Sequence, residues 1–413
     1  MRNGIGDAHR IDPRKDFDVA IIGAGISGAL VADALIETGK RIVAIDSEEP
    51  GQGSTSASTA LLQYEIDTNL TDLAKEIGPE RATRAYRACA DSFTKLERRF
   101  PELLPLADYE RRESLYLASD EKGVGELRAE LAARRAIGLN CEWLDSAEIQ
   151  RRFGCRSQGG ILSALGAQMD PLKFTRALLA GCIRHGVSIR SRTAVSSIEE
   201  AGGEFRLALR GGDAVTAGDV IVCAGYESLK FLPRDVADVD NTFALVTEPL
   251  DEPAVAAMPL IWESARPYLY LRATRDGRLI VGGADVPFKS VVARELLLPK
   301  QVRKLAAGYE ELFGRELPPV AYAWAGSFAR TRDGLPYIGP VPGMNPRLQF
   351  VLAFGGNGIT YSVHAGDIVR AHLEGGAHEL DDVFGFERLL GEGGQINRSD
   401  SRQTGTPTRI VAS

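Results

Sequence analysis

Three glycines at fixed spacing, in Gly23-Ala-Gly25-Ile-Ser-Gly28, are the residues of this chain with the plainest chemistry. Glycine at these points removes side chains where a backbone must turn, approach a phosphate and pack on a strand. Gly23 permits the tight turn, Gly25 lets the backbone reach a pyrophosphate, and Gly28 lets helix and strand pack closely. Ile26 and Ser27 fall in the first helical turn, where free N–H groups and about half a positive charge favour phosphate. Asp46 is placed to accept the hydroxyls of an adenosine ribose. The elements that must hold these residues stand on either side. Phe17 to Ile22 reads as a buried β-branched strand, and Ala29 to Gly39 as a helix closed by glycine. Arg41 to Ile45 is a second strand, which ends at Asp46. Strand, glycines, helix, strand and acid in this order imply an adenine dinucleotide site, the competing reading being an ordinary glycine-rich turn.

The chain has 413 residues, more than one core usually serves, so two structural domains are expected. Hydrophobic residues make up 44% and charged residues 25%, the balance of a soluble globular protein. A net charge of −7 and the lack of a basic stripe argue against nucleic acid as a partner. No apolar run approaches the ~20 residues that span a bilayer. Met1 to Arg14 lacks a signal-peptide core, and the last residues form no prenylation or peroxisomal signal. The five cysteines (Cys89, Cys141, Cys155, Cys182, Cys223) are odd in number and form no CxxC pair. With five histidines that show no ligand spacing, they give a metal site little support. Reduced, mostly core cysteines in a cytoplasmic protein are expected.

Further along lies an unusual small-residue loop, Gly51 to Ala60. Apolar residues at helical spacing follow from Ala82 to Leu96, with more helix from Gly123 to Ile137. Asp170-Pro171 opens a helix from Leu172 to His185, with proline suited to its first turn. Short strands follow at Val187–Ile189, Phe205–Leu209 and Val220–Cys223, the last running into Ala224-Gly225. From Phe243 to Val281 the pattern turns to alternating strands, notably Tyr268–Arg272 and Arg278–Val281 around Asp276-Gly277. Leu296 to Leu312 is amphipathic. Then come the turn Asp333 to Gly339, a strand from Leu348 to Phe354, the loop Gly355-Gly-Asn-Gly358 and a helix from Ile359 to Leu373. Residues 1–15 and 391–413 have the composition of disordered tails.

With these landmarks in order, the chain resembles the D-amino-acid oxidase superfamily of FAD-dependent oxidoreductases. The likeness is greatest to its glycine oxidase, sarcosine oxidase and D-amino-acid dehydrogenase-like branch. Its carriers are the GxGxxG, the Ser/Thr/Ala loop, Asp170-Pro171, Cys-Ala-Gly225, Asp-Gly-Leu-Pro-Tyr-Ile-Gly339 and Gly-Asn-Gly-Ile359. The resemblance implies an α/β protein. Its Rossmann-like FAD-binding domain would be assembled from the discontinuous segments 16–62, 150–240 and 325–390. An α+β substrate domain with a mixed or antiparallel sheet would be built from 63–149 and 241–324.

The resemblance also implies contacts. Ser54, Thr55 and Ser56 fall where loop hydroxyls meet the pyrophosphate and ribityl chain. Thr59, Ala60 and Leu61 fall where backbone meets the pyrimidine edge of the flavin. Val195 matches the position beside adenine, and Gly225 closes a strand near the cofactor. Gly356, Asn357, Gly358, Ile359 and Thr360 match the loop beneath the flavin, and a helix starting at Ile359 would stabilise negative charge there. Covalent branches carry a cysteine where this chain has Gly326, so FAD is expected to be non-covalent. Relatives place an arginine for the substrate carboxylate where this chain has Phe328. Arg330, two residues on, would share that strand face, and Arg272 is a second candidate; for both, a solvated surface role competes. Tyr270 matches a substrate-facing position, with a core or rim tyrosine as the competing reading.

These expectations add up to an FAD-dependent oxidoreductase that dehydrogenates a C–N bond of a small amine or amino acid. Hydride would pass to flavin N5, and the resulting imine would hydrolyse. Oxygen, a quinone or a carrier protein would accept the electrons. Oxidation of a C–OH group, with His364 as base, is the first alternative. An NAD(P)H-dependent enzyme would need a second nucleotide unit, which the sequence does not show. A non-enzymatic dinucleotide-binding protein is the last alternative.

Overall fold

The computed structural model describes residues 17–250, 255, 257–288, 290–390 and 409–411. The expected disordered tails lie outside this range except for Arg409–Val411, which pairs antiparallel with Val195–Ala201. The chain divides into two compact units. One is formed by residues up to Ser56, Pro171–Asp238 and from Gly334 onward, the other by Ala57–Asp170 and Val239–Asp333.

The first unit is built on a parallel sheet. Phe17–Ile22 lies at its centre between Ile42–Ile45 and the end of Ala214–Val222. Ser188–Arg190 and Leu348–Leu352 extend it in parallel on the two sides. Its central strands are apolar almost throughout because helices cover both faces of such a sheet. The helix Ile26–Leu35 follows the first strand and ends through a short 3₁₀ turn at Gly39, whose φ of +67° suits glycine. Gly358–Leu373 crosses that helix closely. A Cβ on Gly366 would lie 2.7 Å from Ala34 Cβ and 3.0 Å from the Leu30 carbonyl.

The second unit is a mixed sheet. Its strands run in the order Val320–Arg330, Asp238–Thr247, Leu279–Pro287, Leu269–Ala273, Leu260–Glu263, Glu110–Leu117, Gly159–Gln168 and Leu61–Gln63. From Asp238–Thr247 to Leu61–Gln63 the pairing is antiparallel except between Leu260–Glu263 and Glu110–Leu117. One face buries Phe243, Leu245, Leu271 and Val281 with Leu305 and Tyr309 of the helix Val291–Phe313. Hydrogen bonding in this sheet carries 57–62, 150–170 and 325–333 into the second unit, because Leu61–Gln63, Gly159–Gln168 and Val320–Arg330 are its strands.

A buried ionic network braces this unit. Arg134 is fully buried and donates from Nε to Glu130 Oε1 at 2.8 Å, with Glu65 3.6 Å away. The Glu130 carboxylate also accepts the Leu70 and Thr71 N–H groups at 2.8 and 2.9 Å. It thereby satisfies free donors at the start of the helix Leu70–Ile77, where negative charge is favoured. Burial pushes the Glu65 carboxyl above its ordinary value.

Candidate active site

The glycine segment of the first unit forms a cradle made mostly of backbone. Gly23 has φ +105°, and a Cβ there would lie 2.4 Å from the Cys223 carbonyl oxygen. On Gly28 it would meet the Gly23 carbonyl oxygen at 1.9 Å, so only glycine lets the helix start against the strand end. Gly25 differs. A Cβ there would meet a single neighbour, Thr55 Oγ1 at 3.0 Å, so its remaining side is open for a ligand to reach the backbone. Thr55 Oγ1 also accepts the Ile26 N–H at 3.1 Å, which ties the small-residue loop to the helix N-terminus. Ser27 is held by Ser362 at 2.7 Å.

Asp46 has a second task that the sequence does not show. Its carboxylate accepts the Ala24 N–H at 2.7 Å and the Glu48 N–H at 2.9 Å, fixing the glycine turn from across the sheet end. A carboxylate has about four acceptor positions, so ribose hydroxyls can still be received. Burial raises its pKa, and the two N–H groups oppose that rise. The Thr193 N–H donates to the Asp46 carbonyl at 2.7 Å, which brings the segment leading to Val195 beside the acid. Gly225 opens a 3₁₀ turn with φ +57°, and a Cβ there would lie 3.8 Å from Ser54 Oγ. Ser54, Thr55 and Ser56 lie in a single helical turn, Ser54–Ala57, within the expected loop. Asn357 stands at the N-terminal boundary of the helix Gly358–Leu373, which begins one residue before the expected Ile359; Gly356 and Thr360 flank that start. The Thr360 hydroxyl donates to the Asn357 carbonyl at 2.8 Å.

The second unit presents a wall on the sheet face opposite the Phe243–Tyr309 cluster, where Tyr270 packs beside a second buried cluster that includes Tyr116 and Trp262. Tyr270 lies flat over Gly282, where a Cβ would fall 2.3–2.5 Å from the ring and its hydroxyl. The Tyr270 hydroxyl reaches Thr242 Oγ1 at 3.3 Å, and Thr242 in turn hydrogen-bonds Asp285. Tyr268 stands beside Tyr270, ring centres 5.7 Å apart, with the Arg266 guanidinium 4.8 Å from the Tyr268 ring centre. Burial pushes the Tyr270 phenol up to about 12. Burial, reinforced by Asp67 and Asp240, lifts the Asp285 carboxyl to about 6. Phe328 is half-buried on Val320–Arg330, in alternation with Ser327, which turns to Asn241 at 2.8 Å.

The two candidate arginines have other partners. Arg272 is buried and donates from Nε to the Thr59 carbonyl and from Nη2 to the Met169 carbonyl. It holds the backbone of the Thr59–Leu61 stretch, where Ala60 sits at φ +50°, and burial lowers its pKa to about 10. Arg330 does follow Phe328 by two along the strand, but its side chain is 51% exposed and pairs with Asp240 at 3.1 Å. His364 is buried in the helix Gly358–Leu373 and packs edge-on to Phe384.

Residues 18–371 match the family model of FAD dependent oxidoreductases. The chain belongs to this family. As a member of it, the protein is an FAD-dependent oxidoreductase. It is 25% identical to a glycine oxidase of Bacillus licheniformis, over 91% of this chain and 97% of that one. It is 23% identical to the probable oxidoreductase OrdL of Haemophilus influenzae, over 92% and 88% of the two chains. The glycine oxidase of Geobacillus kaustophilus has the same fold, with a TM-score of 0.74 at 18% identity over 89% of this chain and 98% of that one.

The cradle suits the FAD of this family: an open Gly25, a helix N-terminus and an acid after the second strand are present, and among the described residues only Thr55 stands within 4 Å of where a Gly25 Cβ would lie. Thr242, Tyr268, Gly282 and Asp285 are the wall residues that the sequence reading missed. One signal was available, because Gly282-Gly283 inside a strand marks a bulge or a close approach.

Proposed function

We propose that this family member dehydrogenates a C–N bond of a small amine or amino acid, giving an imine that water hydrolyses. Bound FAD would supply the hydride acceptor. The protein's part is to bind, orient and exclude water. Gly25 and the Ile26 turn would hold the pyrophosphate, Asp46 the ribose, and the backbone of Thr59, Ala60 and Leu61 the flavin edge. The N-terminus of the helix Gly358–Leu373 would favour negative charge at the cofactor. Tyr270, Tyr268 and Phe328 would form the apolar side of the substrate site, and Thr242 would fix the Tyr270 hydroxyl. Gly326 offers no thiol, which supports non-covalent FAD. Five free, buried cysteines are in keeping with a cytoplasmic location.

The observation that carries this reading is the extent of the likeness. The family match runs through both the glycine cradle and the Tyr270 strand, and the Bacillus licheniformis glycine oxidase aligns over nearly its whole length. The C–OH alternative relied on His364, which packs into a helix core instead. Anaerobic mixing of the holoenzyme with amines, amino acids, hydroxy acids and polyol phosphates tests the proposal. Loss of visible flavin absorbance with amines is expected. Bleaching by hydroxy compounds alone would overturn it, and bleaching by nothing would favour a binding protein. Admitting air then separates oxygen from a quinone or carrier protein as acceptor. Acid precipitation should leave the flavin in solution.

A further inference from the structure

Asp285 owes its direction to a bulge. Ala284 and Val286 pack on the core side of Leu279–Pro287, which turns the intervening Asp285 to the Tyr270 side. The register to Asp238–Thr247 slips between Asn241 and Phe243, and Gly283 and Ala284 take φ of +127° and +54°. A left-handed alanine is strained, and bulges commonly re-aim a side chain near a site. Thr242 bonds the carboxylate, but its Oδ1 is buried and accepts no hydrogen bond among the described residues. A buried acceptor without a donor costs about 1–3 kcal/mol, so a partner is wanted there.

The charged neighbours leave the carboxylate uncompensated. Asp67 and Asp240 add negative charge, and Arg266 opposes them. Arg266 donates to the Asp67 and Ala265 carbonyls and lies over Tyr268. Arg330 faces Asp240, and Arg272 holds backbone carbonyls. Asp67 and Arg266 also line a cavity of about 540 Å³ in this unit, which Asp285 does not line and where four carboxylates (Asp67, Asp72, Glu76, Glu126) face two cations (Lys75, Arg266). Acidic linings of this kind draw in cations.

We propose that Asp285 receives a second, cationic nitrogen of the substrate, so that the enzyme prefers diamines or basic amino acids to monoamines and to amino acids with apolar side chains. The proposal rests on the C–N reading above. Phe328 agrees with it: half-buried on Val320–Arg330, it adds apolar surface for a methylene chain to a wall that also carries the Asp285 carboxylate.

The test compares an α,ω-diamine with the alkyl monoamine of equal length on the holoenzyme. The diamine should have the higher kcat/KM. Asp285→Asn should lower the ratio of kcat/KM for the diamine to that for the monoamine by on the order of 30-fold, mostly through the diamine KM. Asp285→Glu should restore part of the diamine preference, which a merely structural role would not give. A second readout is the flavin difference spectrum on titration with a non-oxidisable α,ω-diamine whose amine-bearing carbons are fully methylated, so that each ammonium keeps its N–H donors but has no hydride to lose. The wild type should bind this dication at least about tenfold more tightly than Asp285→Asn. Equal losses on diamine and monoamine, or equal dication binding by both proteins, would overturn the role of Asp285 and leave amine oxidation standing. If no amine bleaches the flavin, amine oxidation fails; dication binding that depends on Asp285 then still supports the cation site, and its absence removes it.

Discussion

The glycine cradle of the first unit and the Tyr270 wall of the second are built from different materials. In the cradle the working parts are backbone: N–H groups at a helix start and carbonyls packed against glycines that tolerate no Cβ. Side chains serve it as braces, as when Asp46 holds Ala24 and Thr55 holds Ile26. In the wall the working parts are side chains drawn from four strands, and backbone serves them by bulging at Ala284 and clearing space at Gly282. A backbone site is robust to neighbouring sequence but intolerant at its glycines. A side-chain site can change its ligand by one substitution and still fold.

The sharpest break should come in the cradle. Gly28→Val places atoms within 1.9 Å of the Gly23 carbonyl oxygen, and backbone cannot yield that far. A loss above about 4 kcal/mol is expected, with no flavin retained on purification. A urea titration with near-native stability and full flavin would show that the cradle does not depend on close packing.

Arg272→Met should come next. It leaves the Thr59 and Met169 carbonyls without their buried donor, for a loss of about 2–4 kcal/mol. Flavin retention should fall with it, because Ala60 would lose its fixed backbone. If Arg272→Met weakened only the KM for a carboxylate substrate, with stability unchanged, the arginine would be a ligand after all.

The wall should show a pH signature that a single substitution removes. The folded protein raises the Asp285 pKa to about 6, above its ordinary value, so folding penalises the charged form. The contribution to stability is therefore present below about pH 4 and is lost as pH rises through 6, to the extent of about 3 kcal/mol. Asp285→Asn should remove this dependence and be the more stable protein at pH 7, as read by denaturation at pH 4, 5, 6 and 7. Parallel curves for the two proteins would deny the burial of its charge.

Arg330→Ala should have the smallest effect. Its half-exposed pair with Asp240 is worth at most about 1 kcal/mol. Steady-state kinetics on amino acids should barely move. A large rise in KM for carboxylate substrates alone would place Arg330 in the site.

The sequence by itself determined the dinucleotide unit closely. The strand Phe17–Ile22, the helix with its glycine stop and the acid after the second strand all lie where their spacing puts them. The reason is physical: turn, phosphate approach and helix start are local backbone demands met within thirty residues, and only glycine meets them. Alternation also placed Arg330 two positions beyond Phe328 on one strand. The tertiary structure alone decided what the charged residues do. Nothing around Arg272 says that it will be buried against Thr59, nor does its helix show that Arg134 will be enclosed with Glu130 and Glu65. Thr242 and Asp285 meet across a bulge from segments more than forty residues apart, and a one-residue slip there would turn Asp285 to the core face. Which charge is spent and which is left over depends on such long-range neighbours, and residue type carries no record of them.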